Sequence, residues 1–407
     1  MKYLFLHPVF PGQFLRVMQA LGARPGNDVV HLSVKANMKS LPGVRRFTYK
    51  EPPPLPANLP RYLQKLHASV NAGTEVVKAL GALQKKGFVP DLSVAYGGWG
   101  QGMFLKDLYP HKPVLGYFEW YANGRGFEYG FDPEHALTLE NAMALRMHNS
   151  ELLIDLASFD RGVTATEFQR SSFPKQLRGK LTALHDGVDA EYFSPAPEKL
   201  KLPRVKLDLS EAKEIVTYLS RGLEPARGFH RFIPAAQLIL KQRPNAHIVI
   251  VGESEQVFYS RKPPRGKTYK DLALEKTPLD PARVHFTGWL ERDEYRNVLR
   301  ASSAHVYLTV PYVLSWSLLE AMSLGCLVVG SRTPPVEEMI RHGENGLLAD
   351  WFSPESIAGE VCRALDNPGQ MQKLRQRARE TVLERYDLAK VLPRQLALID
   401  GLTSASV

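Results

Sequence analysis

Cysteine is nearly absent: Cys326 and Cys362 are the only two in 407 residues, and they lie in separate segments. That excludes a disulfide framework and a zinc-ligand spacing, and a reducing cytoplasm is the expected compartment. No apolar run approaches the roughly 18 residues that span a bilayer. The opening "MKYLFLHPVF" lacks a long apolar region and a small-residue cleavage site, so it reads as a first strand and not as a signal peptide. Glycine fingerprints are missing as well. "YGGWGQG" would need a third glycine at Met103 to match G-x-G-x-x-G, "HPVFPGQF" fails it, and no G-x-x-x-x-G-K-[ST] occurs. A dinucleotide-dependent dehydrogenase and a P-loop enzyme are therefore disfavoured. No D-x-D is present, which argues against a divalent metal on a diphosphate, and no G-x-S-x-G elbow is found. Zinc-finger, RRM and long basic-helix patterns are absent, so nucleic acid is not an expected partner.

What the chain does have is a basic balance. The formal net charge is +10, which favours anionic partners such as phosphorylated small molecules or a membrane surface, although a merely soluble basic protein has the same balance. Short apolar strands alternate with helical stretches in two series, the pattern of parallel sheets covered on both faces. The first series runs from "KYLFLH" to "KLTALHDGVD". The stretch "YFSPAPEKLKLPRVKLDLSEAKE" is rich in Pro, Lys and Glu and reads as a linker, and the second series begins at "EIVTYLSRG". The expected division is 1–194, a linker over 195–213, a second domain over 214–385, and a terminal helix over 386–407 that returns to the first. Pro393 is expected to interrupt that last helical stretch. Two α/β domains of Rossmann type imply a cleft, with ligands at the carboxyl ends of strands.

The candidate residues follow such strands. In "SRGLEPARGF", Arg221 and Arg227 flank a turn that opens a helix, where guanidinium groups and free N–H groups suit a diphosphate; a solvated basic loop is the bland alternative. In "TVPYVLSWSLLEAMSLG" a helix is expected to start near Ser315. The N–H groups of Val313, Leu314 and Ser315 would then face a ligand. Glu320 would point inward to accept hydrogen bonds from a ribose, unless it is a structural carboxylate. In "LHDGVDAEYF", Asp186 sits at a turn, as a substrate ligand or as an Asx turn. Gly12 and Gln13 occupy the first strand-to-helix loop, next to the expected cleft, and are expected to contact the donor. Glu119 ends an apolar strand among aromatics and reads as a base or as an ion-paired structural carboxylate.

Together these motifs resemble the retaining glycosyltransferases of family four, the glycogen-synthase-like group with GT-B architecture, in which two Rossmann-like domains face a central cleft. The family's strand, Arg, turn, Lys and Gly correspond to "SRGLEPARG", with Arg227 in place of Lys. The resemblance implies that Arg221 and Arg227 hold the nucleotide diphosphate, and that Gly252 of "VIVGE" lies near the nucleotide. It also places the base at Phe286 and Gly288 of "VHFTGWL". The family pairs two glutamates with seven residues between them. Glu320 matches the second, the ribose ligand, but Tyr312 stands where the first should be, and the donor sugar loses that contact. Asp186 replaces a usual Asn, and Glu119 a usual His near the acceptor.

The expected activity is transfer of a sugar from a nucleotide-diphosphate donor to a hydroxyl acceptor, glycan or lipid-linked, with retention and without metal or cofactor. Arg221, Arg227, Glu119 and Asp186 would carry the chemistry. A nucleotide-sugar epimerase of the same fold and a catalytically silent nucleotide-sugar-binding protein are the rivals. The basic stretch "VKANMKSLPGVRRFTYK" is either a contact for an anionic membrane or a solvated loop.

Overall fold

Residues 1–36, 39–124, 127–135 and 137–404 are described by a computed structural model. The chain divides into two units, Met1–Asp186 together with the segment from Ala389, and Gly187–Leu388. In the first unit, seven strands form one all-parallel sheet: β1 (Lys2–Leu6), β2 (Asp28–Ser33), β3 (Val44–Thr48), β4 (Leu92–Tyr96), β5 (Val114–Tyr117), β6 (Arg161–Thr164) and β7 (Leu181–Ala183). Their spatial order is β3-β2-β1-β4-β5-β6-β7. The strands read as near-continuous apolar runs because helices cover both faces. Neighbouring residues of β1 feed opposite cores: Leu4 and Leu6 pack with Val30, Leu32 and Phe118, whereas Tyr3 and Phe5 pack with Phe14, Val29 and Leu115.

The second unit repeats the plan with six parallel strands: β8 (Glu214–Gly222), β9 (Ala246–Glu253), β10 (Val284–Gly288), β11 (Ala304–Tyr307), β12 (Val328–Ser331) and β13 (Leu347–Ala349). Their order is β10-β9-β8-β11-β12-β13. Each sheet thus winds outward in both directions from its first strand. The reversal lies between β1 and β4 in one unit and between β8 and β11 in the other. In such sheets ligands bind beyond the carboxyl ends of the strands at the reversal.

Three details differ from the sequence reading. The stretch 195–213 carries a two-stranded hairpin, Lys201–Leu202 with Leu207–Asp208, and buries Leu200, Leu202 and Leu209 against Ile215 and Val249 of the second unit. The last helical stretch breaks at Tyr386–Asp387 and not at Pro393. There Val188 N–H donates to Tyr386 O and Leu388 N–H to Val188 O, so the chain is drawn into backbone pairing. Pro393 sits inside the helix Leu388–Ser404, whose Val391 and Ile399 join the core around Tyr3 and Phe5. Finally, the basic stretch beginning at Val34 supplies the edge strand β3. Asn37 and Met38 of that stretch lie outside the described residues. Arg45 pairs with Asp28 at 2.6 Å and both Arg45 and Arg46 are exposed, which suits an edge that must not pair with another chain. Among the described residues, no helix is long and apolar enough to cross a membrane.

Candidate functional site

Polar side chains gather at the reversal point of each sheet. In the second unit, β8 ends at Gly222, and a short turn over Pro225–Arg227 leads into the helix Phe229–Gln242. Gly228 takes φ +72° at the helix N-cap. The turn is tied across the reversal to the segment after β11, since Val310 N–H donates to Ala226 O at 3.1 Å. Arg227 is only 7% exposed. Its Nη1 donates to Thr309 Oγ1 at 2.8 Å and to Val313 O at 3.0 Å. The guanidinium lies 4.8 Å from the Tyr259 ring centroid and 5.9 Å from that of Tyr312, and also bonds the Tyr259 side chain. The two tyrosine rings lie 5.4 Å apart. The helix beyond Gly228 adds the partial positive charge of its N-terminus to this cation.

Glu224, absent from the sequence-based candidates, organises the surroundings. It is 0% exposed, and its carboxylate accepts from the N–H groups of Phe258 (3.3 Å), Tyr259 (2.9 Å) and Ser260 (2.7 Å). Ser260 Oγ in turn accepts from Ala226 N–H at 3.0 Å. One buried carboxylate therefore pins the loop that carries Tyr259. Arg221 joins through the same loop: it is exposed, and its guanidinium stacks 4.0 Å above the Phe258 ring.

The helix after β11 begins at Trp316 with Ser315 as N-cap. Ser315 N–H does not face outward; it donates to the Tyr307 hydroxyl at 2.8 Å, and Ser315 Oγ accepts from Ser317 N–H. Val313 and Leu314 lie between Tyr312 and this cap, and Leu314 is buried in the core with Leu318. Glu320 is partly exposed, and Tyr295 donates to its Oε2 at 2.5 Å. Burial pushes the Glu320 carboxyl above its ordinary value, opposed by the Tyr295 bond and by Arg292. Gly252 has a backbone reason for its identity: at φ +146° a Cβ would stand 2.1 Å from Ser220 O. Phe286 is partly buried under the Lys270 ammonium, 4.3 Å from its centroid, and Gly288 ends β10 beside open space.

In the first unit the reversal point brings His7, after β1, against Tyr96, the last residue of β4, with ring centroids 4.8 Å apart. Tyr96 stacks on Tyr117 at 5.6 Å. Tyr96 donates to Glu119 Oε2 at 2.7 Å, and Tyr117 donates to Asp186 Oδ2 at 3.1 Å. Burial, then the Asp186 and Glu119 charges, drive the Tyr117 hydroxyl well above its ordinary value, so Tyr117 stays a donor. Burial holds His7 down to about 4, hence neutral at pH 7, with Gln13 hydrogen-bonded to it. Gly12 packs directly on the His7 ring, where a Cβ would be 2.5 Å from Nδ1. Glu119, Asp186, Gly12 and Gln13 thus converge on one aromatic-lined polar site. His7, Tyr96 and Tyr117 complete it, and the one signal for them was their place at strand ends.

Beside this site lies a second buried carboxylate. Asp155, 0% exposed, accepts from Gly98 N–H at 2.8 Å. Burial pushes its carboxyl from 3.8 up to about 7. The folded chain then keeps a proton that the unfolded chain releases, so stability falls as pH rises from about 4 through about 7. Asp155→Asn should flatten that decline by an amount on the order of a few kcal/mol. Thermal midpoints at pH 5 and pH 8 check this; equal declines in both proteins would show that Asp155 does not titrate in that window. Among the described residues, no group of three or more His, Cys, Asp or Glu is arranged to hold a metal ion.

Two doubly wound domains with a buried cation at one reversal point and a carboxylate–tyrosine site at the other define a two-domain α/β protein of GT-B architecture. Comparisons with known proteins agree. Residues 25–193 match the family model "Glycosyl transferase family 4 group", and residues 202–381 match "Glycosyl transferases group 1". The two segments together take in most of the chain, and each matches a glycosyltransferase family.

Among curated relatives, the chain is 25% identical over 207 residues to the lipopolysaccharide core biosynthesis glycosyltransferase LpsE of Rhizobium meliloti, covering 51% of this chain and 56% of that one. It is 26% identical over 193 residues to an Escherichia coli UDP-Gal:alpha-D-GlcNAc-diphosphoundecaprenol alpha-1,3-galactosyltransferase, covering 46% of each. The chain spans about half the length of these relatives. Among solved structures, Anabaena HepE in complex with UDP and glucose aligns with a TM-score of 0.70 at 18% identity, covering 98% of this chain and 99% of that one. Sucrose-phosphate synthase from Thermosynechococcus elongatus aligns at 0.72 with 17% identity over 100% of both chains. These likenesses support the fold.

Proposed function

We propose that this chain transfers a sugar from a nucleotide-diphosphate donor to a hydroxyl acceptor, with retention of configuration and without a metal ion, in glycan or glycolipid biosynthesis. The observation that carries the reading is Arg227, a nearly buried guanidinium one residue before a helix N-cap, at the reversal point of the second sheet. Nη1 holds two of the five guanidinium N–H groups, and Thr309 and Val313 use them to fix its orientation. The rest of the fork is left to Tyr259 and an anion. With Arg221 it would neutralise the departing diphosphate, the charge stabilisation that this chemistry demands. Glu320, held by Tyr295 through Oε2, keeps Oε1 for a ribose hydroxyl. In the first unit, Glu119 and Asp186 would orient the acceptor hydroxyl. With front-face attack, a leaving phosphate oxygen takes its proton.

The test is release of nucleotide diphosphate from a panel of nucleotide sugars in the presence of chelator, with the anomeric configuration of product read by NMR. An inverted product, or activity abolished by chelator, overturns those parts of the reading. Binding without turnover would favour a silent binding protein, and release of free epimerised sugar an epimerase. A thermal-shift screen identifies the donor first, because a bound ligand raises the midpoint by mass action. Glu320→Gln should weaken binding of the matching ribonucleoside diphosphate about tenfold, the scale of a charged hydrogen bond. Binding of the 2′,3′-dideoxy analogue should hardly change; equal losses would remove Glu320 from the ribose.

A further inference from the structure

Trp99 is 50% exposed in the loop after β4, and the loop holding it is pinned on every side. Gly97 N–H donates to Tyr117 O at 2.8 Å, and Gly98 N–H to the buried Asp155. Gly100 takes φ +85° so closely against the backbone of Ser69 that a Cβ would meet it at 2.2 Å. Gln101, buried, donates to the Tyr49 hydroxyl at 3.1 Å. The exposure of Trp99 is thus a property of a fixed loop. Its ring lies 6.3 Å from that of Tyr96, whose hydroxyl bonds Glu119. The Lys65 ammonium stands 4.4 Å from the Trp99 ring centroid, held at 3.5 Å by Glu151, which is itself 1% exposed.

We infer that Trp99 is the stacking platform for a pyranose ring of the acceptor, which takes the indole face opposite the Lys65 ammonium. The inference rests on the reading that the first unit holds the acceptor. An indole face is electron-rich, and one face of a pyranose presents C–H groups of the opposite polarity. A platform already rigid costs little ordering entropy on binding, which is why a pinned aromatic is effective in recognition.

The experiment uses the full chain with free methyl pyranosides (gluco, galacto, manno and N-acetylgluco) as probes. The indole N–H cross-peak of Trp99, identified by its loss in Trp99→Phe, should shift saturably with at least one of them and not with UDP. In nucleotide-release assays, Trp99→Ala should raise the half-saturating concentration of that glycoside about tenfold. Trp99→Phe should recover part of the loss, and the KM of the nucleotide sugar should stay within about twofold. No response to any pyranoside, a response to UDP, or a defect confined to binding phosphatidylglycerol vesicles overturns the proposal. A wild-type chain that binds no nucleotide sugar would strike the function proposed above, whereas the pyranoside titration needs no donor and still decides the role of Trp99.

Discussion

Arg227→Ala is expected to weaken nucleoside-diphosphate binding by about 1.5–3 kcal/mol, the scale of hydrogen bonds to a charged group. Turnover should fall at least as far, because charge on the leaving diphosphate grows toward the transition state. The geometry explains why the loss cannot be made good locally. The guanidinium spans Thr309 Oγ1, Val313 O and the Tyr259 and Tyr312 rings at once. Arg227→Lys keeps the charge but presents a point donor in place of a planar fork, so it should recover only part of the affinity. Calorimetry with UDP and other nucleoside diphosphates, alongside thermal unfolding of each variant, separates binding from folding. A folded Arg227→Ala protein with unchanged affinity would remove Arg227 from the phosphate site.

Glu224→Ala should give the largest loss of stability among the site variants, on the order of 3 kcal/mol, because a buried donor left without its acceptor costs about 1–3 kcal/mol. Three backbone N–H donors, at Phe258, Tyr259 and Ser260, would lose their acceptor together. Glu224→Gln retains one carbonyl oxygen and should lose roughly half as much. Denaturant midpoints measure the stability. Donor affinity should fall as well, since the loop places Tyr259 on Arg227. A Glu224→Ala chain as stable as wild type would show that the loop holds its shape by other contacts.

Tyr312 is where the structure added most. The sequence puts a tyrosine where the resembled family has a glutamate, and by itself that is only a missing contact. In the fold its ring pairs with Tyr259 and closes over Arg227. The partner is unreadable from sequence because Tyr259 lies 53 residues away, in a loop whose placement depends on Glu224. Glu224 itself was legible as a residue in "SRGLEPARG" but not as a buried one. A carboxylate before a proline reads equally well as a solvated turn. Ser315 misled for a related reason: a helix start advertises free N–H groups, yet a hydroxyl from β11, Tyr307, takes the one at Ser315.

What the sequence determined by itself is the pattern of the chain: two series of short apolar strands with intervening helices, and the turns after strands that carry Arg227, Glu119 and Asp186. These are local properties, set by periodicity, turn residues and spacing over a few positions. The tertiary structure decided which strand ends become neighbours. The outward winding of each sheet from its first strand sets β1 beside β4 and β8 beside β11. Only that pairing joins His7 to Tyr96 and Arg227 to Thr309, residues 89 and 82 positions apart. Contacts at such separations come from sheet order, which no short window of sequence encodes.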